Sequence, residues 1–196
     1  IATTSPPLKL KIISSGEGGI ITTNNKNFYK KLKLYRNLGF TKPRFKHFVK
    51  GYNFRMTGMQ AAIANSQLSY INQIIKKKIL IQQNYQKYLK HNLVSFLKEE
   101  KGSKSVFWMV GILLSKKLKN KKNILQKELL KKGIDTRSFF MSMNEQPCFK
   151  EYKMKTTTYV SNNLWKNGIY LPSSHNLKEK NIKQICRKVL SIIEQI

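Results

Sequence analysis

Apolar and polar positions along the chain switch between two periods. Ile20-Ile21-Thr22-Thr23 follows a glycine pair and stops at Asn24-Asn25, which predicts a short strand and a turn. Phe28, Leu32, Leu34 and Tyr35 predict an amphipathic helix over 26–38, closed by Gly39. Residues 41–52, with Pro43 and Gly51 and little periodicity, read as a loop. Ala61, Ala62, Ile63, Leu68, Ile71, Ile74 and Ile75 keep helical spacing without a proline, which predicts one long helix from Met56 to about Leu89. The apolar run of 105–114 predicts a buried strand, 120–132 a helix closed by Gly133, and 134–140 an extended segment. A helix over 158–167 stopped by Gly168, then Ile169-Tyr170-Leu171-Pro172 as a strand, precede a last amphipathic helix over 177–196. Ile182, Ile185, Val189, Ile192, Ile193 and Ile196 form its stripe, with Ser174 or Asn176 as its cap.

Helices alternating with short apolar strands predict an α/β fold without an internal repeat. The chain becomes Lys- and Gln-rich over 76–100, which suggests a lobe before that stretch and a smaller lobe after it.

Composition changes the picture in two ways. Of 196 residues, 40% are hydrophobic and 11% aromatic, enough for a packed core, which excludes full disorder. The net charge is +29, from 38 Lys plus Arg against 9 Asp plus Glu, and such a charge first suggests a polyanion partner. Yet 33 of the cations are Lys, spread along the chain, beside 20 Ile and 17 Asn. Nucleic-acid readers favour the planar fork of Arg. The charge therefore reads as the composition of an AT-rich genome, and a basic polyanion-binding module without enzymatic activity is the alternative reading. No apolar run approaches the length of a membrane span, and the first residues lack the n- and h-regions of a signal peptide. Cys148 and Cys186 make no disulfide framework, so a reducing cytoplasm is expected. His47, His91 and His175 lie too far apart for a metal motif, and none is expected.

Three strings carry candidate chemistry. Ser14-Ser15-Gly16-Glu17-Gly18-Gly19 allows positive φ and close backbone approach, and reads equally as a tight turn before a strand. Gly51-Tyr52-Asn53-Phe54-Arg55-Met56 sets an amide and a guanidinium beside aromatics ahead of a helix; it suits phosphate or carboxylate, or simply starts the helix. Gly133-Ile134-Asp135-Thr136-Arg137 places another of the five arginines where bidentate anion recognition is available.

In order along the chain, these strings resemble the DegT/StrS-type sugar aminotransferases, which are fold type I pyridoxal-phosphate (PLP) enzymes. The resemblance includes Lys11-Ile12-Ile13 leading into the glycine-rich string, Arg36-Asn37, Gly51 to Met56, Gln60-Ala61-Ala62-Ile63 and Gln67-Leu68. It continues through Phe107-Trp108-Met109, Gly133 to Arg137, Gln146-Pro147 and Gly168 to Ser173. It implies that Lys11 is the catalytic Schiff-base lysine and that Lys11, Asn53 and Arg55 bind PLP. In the family the asparagine corresponding to Asn53 reaches the cofactor phosphate of the neighbouring subunit, which implies a homodimer. It assigns His47 and Arg137 to the substrate. The implied substrates are a nucleotide-linked keto-sugar, of the 4-keto-6-deoxyhexose type, and glutamate, and the Phe-Phe-Met-Ser-Met stretch resembles the perosamine-type enzymes. The implied architecture is the C-terminal part of a fold type I aminotransferase. Residues 1–75 would be the end of the large cofactor domain, and 76–196 the small α/β domain with the connecting long helix.

The departures from the family are specific. Pro6 stands where a phosphate-binding Ser is usual, Leu10 where Asn is usual, and Leu38 and Asn144 where the family has His. Family enzymes are about twice as long, and their first half carries the acid that pairs with the pyridine nitrogen and the aromatic that stacks on the ring. The chain alone is therefore expected to be inactive, and its expected protein partner is a second copy in a homodimer or, as the alternative, a complementing N-terminal half.

Overall fold

The computed structural model describes residues 2–4, 12–43, 45–149, 151–152 and 158–196. The elements are β1 (Ala2–Thr4), β2 (Ile20–Thr22), α1 (Lys26–Arg36), α2 (Gly58–Leu68), α3 (Ile71–Tyr88), β3 (Val94–Phe96), β4 (Val110–Leu114), α4 (Lys122–Lys131), β5 (Arg137–Ser138), α5 (Tyr159–Asn167), β6 (Gly168–Leu171) and α6 (Glu179–Ile193). Two compact units divide the chain, Ile1–Ile71 and Asn72–Ile196. Among the described residues no helix is long and apolar enough to cross a membrane.

The second unit is built on an antiparallel sheet in the order β3-β4-β6-β5. Its register sets Ile112 against Ile169, Val110 against Leu171, and Val94 against Leu114. Alternation puts these side chains on one face. There they join Ile81 and Tyr85 of α3, Leu125 and Leu129 of α4, and Ile182, Val189 and Ile193 of α6 in one buried cluster. Full burial of each aliphatic side chain is worth about 1.5–3 kcal/mol, which is what holds three helices to a sheet of two- to five-residue strands.

The first unit pairs β1 with β2 antiparallel and then runs through α1 and α2. Asn25 caps α1, its side chain accepting from the Phe28 N–H at 2.9 Å. Thr57 and Gln60 form a capping box on α2. Ala64 is the one hydrophobic residue of this unit, among those described, that is buried. Phe45, Phe48, Tyr52, Phe54 and Met59 are all more than half exposed.

Four expectations need correction. The helix foreseen from Met56 to Leu89 is two helices, because the chain turns at Ser69-Tyr70: the Ser69 hydroxyl competes for the Asn65 carbonyl at 3.4 Å, and the Tyr70 N–H shortens to an i−3 bond with Gln67. The strand foreseen over 105–114 begins only at Val110. Phe107 takes a positive φ of 45°, its N–H bonds to the Ser105 hydroxyl, and the Trp108 carbonyl accepts from Lys78 Nζ at 3.0 Å. In the segment 134–140 only Arg137 and Ser138 pair, with Tyr170 and Ile169. The residue capping α6 is Lys178, without a side-chain bond, while Ser174 instead shapes the turn ahead of it.

Candidate functional site

In the first unit, α1 ends where the chain doubles back on itself. Gly39 takes φ +68° and returns its N–H to the Leu34 carbonyl at 2.9 Å. The segment 51–54 then lies along the end of the helix: Tyr52 N–H bonds to Tyr35 O at 2.6 Å, Leu38 N–H to Tyr52 O at 3.0 Å, and Phe54 N–H to Arg36 O at 3.1 Å. Only glycine permits this approach, since a Cβ on Gly51 would stand 1.9 Å from the Gly39 nitrogen.

This pairing sets Asn37 opposite Asn53 as an isolated antiparallel bridge. Arg55 joins them: its Nε donates to Asn53 Oδ1 at 3.2 Å and its Nη1 to Asn37 Oδ1 at 3.3 Å. Arg55 makes no ion pair with a carboxylate among the described residues. With Oδ1 of Asn53 engaged, its amide N–H2 is the group left to donate. A free guanidinium edge beside a free amide is a donor set that suits a phosphate.

His47 sits on the intervening loop. A carbonyl only accepts, so in the contact of 3.0 Å to Leu38 O the Nδ1 of His47 is the donor. Its ring tilts against Phe40 with centroids 5.1 Å apart. The glycine-rich turn is held to α2 by Gln67, whose side chain accepts from the Ser14 N–H at 3.0 Å and donates to the Ser14 carbonyl. Beside it the Ser15 hydroxyl is buried without a hydrogen-bond partner among the described residues. Gly16 and Gly18 take the positive φ values, 84° and 142°, that the glycine spacing foreshadows. Lys11 lies outside the described residues.

Arg137 belongs to the second unit. It stands on the edge strand β5 across from Tyr170. Thr136 and Ser138, on the other side of the strand, both bond to Gln126 of α4, at 3.3 and 3.0 Å. Phe139 stacks on Tyr170 at 4.3 Å and occupies a slot between Gly111 and Gly168, where Cβ atoms would meet its ring at 2.7 and 2.3 Å. Burial pushes the Tyr170 phenol above its ordinary pKa. Asn53, Arg55 and His47 thus gather around one chain reversal, together with Asn37. The sequence carries no spacing signal for the part Asn37 plays, because the bond from Asn37 to Arg55 spans 18 residues.

The sequence pattern of the DegT/DnrJ/EryC1/StrS aminotransferase family matches residues 8–190. The chain is 32% identical to the GDP-perosamine synthase of Vibrio cholerae, over 90% of this chain and 48% of that protein. It is 33% identical to the GDP-perosamine synthase of Escherichia coli O157:H7, over 91% of this chain and 48% of that protein. Its fold matches that of Helicobacter pylori PseC, an aminotransferase involved in the biosynthesis of pseudoaminic acid. That match has a TM-score of 0.87 at 24% identity, over 95% of this chain and 51% of PseC. The chain therefore spans about half the length of the relatives it matches. With a family pattern running through nearly all of its residues, the chain belongs to the DegT/DnrJ/EryC1/StrS aminotransferase family.

Proposed function

We propose that the chain is the C-terminal part of a PLP-dependent enzyme that transfers an amino group from glutamate to a nucleotide-linked keto-sugar of the 4-keto-6-deoxyhexose type. The observation that carries this reading is the family match over residues 8–190, which includes Lys11 and the Asn53–Arg55 string. The sugar is argued from the two perosamine synthases among the relatives.

When bound, PLP supplies the electron sink for amino transfer. Asn53 and Arg55 hold its phosphate, with the Asn53 amide and the remaining guanidinium N–H groups as donors. The donor set supports this, since it carries a full positive charge and no carboxylate competitor among the described residues. Lys11 Nζ would hold the cofactor and would serve as the proton carrier, and both roles need a neutral amine and so a lowered pKa. In this reading His47 and Arg137 bind the sugar substrate. Residues 1–75 belong to the cofactor domain and 76–196 to the small domain. The active assembly is a cytoplasmic homodimer in which Asn53 serves the neighbouring site, and it includes the half of the enzyme that these residues do not span.

The test is covalent capture. The full chain, alone and mixed with the first half of a perosamine synthase, is incubated with PLP, reduced with borohydride and mapped by mass spectrometry. The reading expects the label at Lys11 and its loss in Lys11→Ala, with glutamate-driven amination of a nucleotide-linked 4-keto sugar only in the mixture. Label scattered evenly over surface lysines in both samples would overturn it.

A further inference from the structure

We infer that Asn37 is a positioning residue for Arg55, and that the two neutral carboxamides of Asn37 and Asn53 make this guanidinium an anion receptor of undiminished charge. This rests on the reading of Asn53 and Arg55 as phosphate ligands and adds to it the residue that aims the cation.

Asn37 ends α1, and its backbone N–H is already spent on the Lys33 and Leu34 carbonyls at 3.2 Å each. Its side chain is therefore not needed to close the helix. Its Oδ1 accepts from Arg55 Nη1 while Asn53 Oδ1 accepts from Nε, so two oxygens fix the guanidinium plane from two sides. The backbone bridge between Asn37 and Asn53 fixes the spacing of those oxygens. The guanidinium has five N–H donors in a rigid fork; among the described residues two are engaged, and three remain for a ligand.

The choice of holder matters more than the holding. The usual partner of an arginine is a carboxylate, which would orient the group and cancel its charge. A carboxamide orients it and cancels nothing. The end of α1 adds little opposing charge, because Tyr35 O and Arg36 O are occupied by the Tyr52 and Phe54 N–H groups. Asn37 also lines an open depression on α1 together with Lys26, Lys30 and Lys33, so the surrounding field is cationic as well. A small, doubly charged, tetrahedral anion such as a phosphate monoester is the ligand class that uses three fixed N–H donors and an uncompensated charge together.

The experiment compares wild type, Asn37→Leu and Asn37→Asp in the full chain. With only five arginines, the Nε–H signals are assignable by 15N NMR. Two quantities are read: hydrogen exchange at Arg55 Nε–H, and its shift on titration with inorganic phosphate at constant ionic strength. Asn37→Leu is expected to speed the exchange severalfold and weaken phosphate about tenfold, as loss of a hydrogen bond to a charged group does. Asn37→Asp is expected to keep slow exchange and an unchanged melting temperature, yet to weaken phosphate at least as much, because the receptor is now neutralised. Wild-type exchange and affinity in Asn37→Leu would overturn the positioning role. Wild-type affinity in Asn37→Asp would overturn the charge argument. A wild type whose Arg55 signal ignores phosphate would overturn the phosphate reading itself, and the exchange difference in Asn37→Leu separates that failure from the first.

Discussion

The phenol of Tyr85 donates to the carbonyl oxygen of Pro172 at 2.8 Å, and the Tyr85 side chain is completely buried. The bond ties the last turn of α3 to the segment leaving β6, 87 residues away. Desolvation raises the Tyr85 pKa above the ordinary tyrosine range, which favours the protonated phenol that donates here. Tyr85→Phe keeps the ring and orphans the carbonyl. The expected cost is about 1–2 kcal/mol, read as a lower urea midpoint at unchanged m value.

The slot that seats Phe139 is the next point to probe. Gly168→Ala would set a Cβ 2.3 Å from the Phe139 ring and 2.5 Å from the Leu164 carbonyl, whereas at Gly111 the nearest atom is the ring edge at 2.7 Å. Overpacking of this kind costs about 1–3 kcal/mol. Gly168→Ala is expected to lower the melting temperature more than Gly111→Ala, because a backbone carbonyl cannot swing away as a ring edge can. Equal effects in the two variants would contradict the slot geometry.

Lys78 predicts a pH dependence. Its ammonium is buried against the Trp108 and Ser173 carbonyls, and desolvation lowers its pKa from 10.5. Between the lowered folded-state value and the unfolded value, the unfolded chain binds more protons. Stability therefore rises with pH across that window and is flat, for this group, below it. Lys122 is lowered for the same reason and contributes in the same direction. Denaturant melts from pH 7 to 10.5 are expected to show a steeper rise for wild type than for Lys78→Met, and parallel curves would count against a buried ammonium.

The two thiols should separate cleanly. Cys148 is exposed and Cys186 is buried, with its thiol pushed up to about 12 by burial. An aromatic disulfide reagent at pH 8 is expected to titrate one thiol quickly in the native chain and the second only in denaturant. Fast reaction of both would mean that α6 is not seated on the sheet.

The units should differ under protease. Ala64 is the sole buried hydrophobic residue described in Ile1–Ile71, whereas the second unit buries a large apolar cluster. Local opening costs least where few apolar contacts hold the chain. Brief trypsin treatment of the full chain is expected to cut first within the first unit, whose last Lys or Arg is Arg55, and leave a fragment starting at Met56. A resistant first unit would show that something covers its exposed aromatics.

Much of this was legible along the chain. The helices α1, α4, α5 and α6 fall where the pattern places them, and the buried face of α6 contains Ile182, Ile185, Val189, Ile192 and Ile193 of the stripe, with Cys186 added and Ile196 only partly buried. The strand β3 was missed because three residues, Val-Ser-Phe, give no period to detect; it exists only because β4 lies beside it. The turn between α2 and α3 was missed because Ser69 breaks a helix by a local hydrogen bond that spacing does not register. The Gly51–Met56 string was legible as candidate chemistry, but its geometry was not.

Periodicity, capping residues and glycine positions are local properties, and so the sequence by itself determined where the helices run, where they stop and which strings deserve a chemical reading. What meets what is a property of chain reversal. Asn37 reaches Arg55 because Gly39 and Gly51 let two backbones touch, and Phe139 stacks on Tyr170 because Gly111 and Gly168, on neighbouring strands, both leave room for its ring. Those contacts span 18 residues or more, beyond any repeat that a helix or strand imposes, and only the tertiary structure decided them.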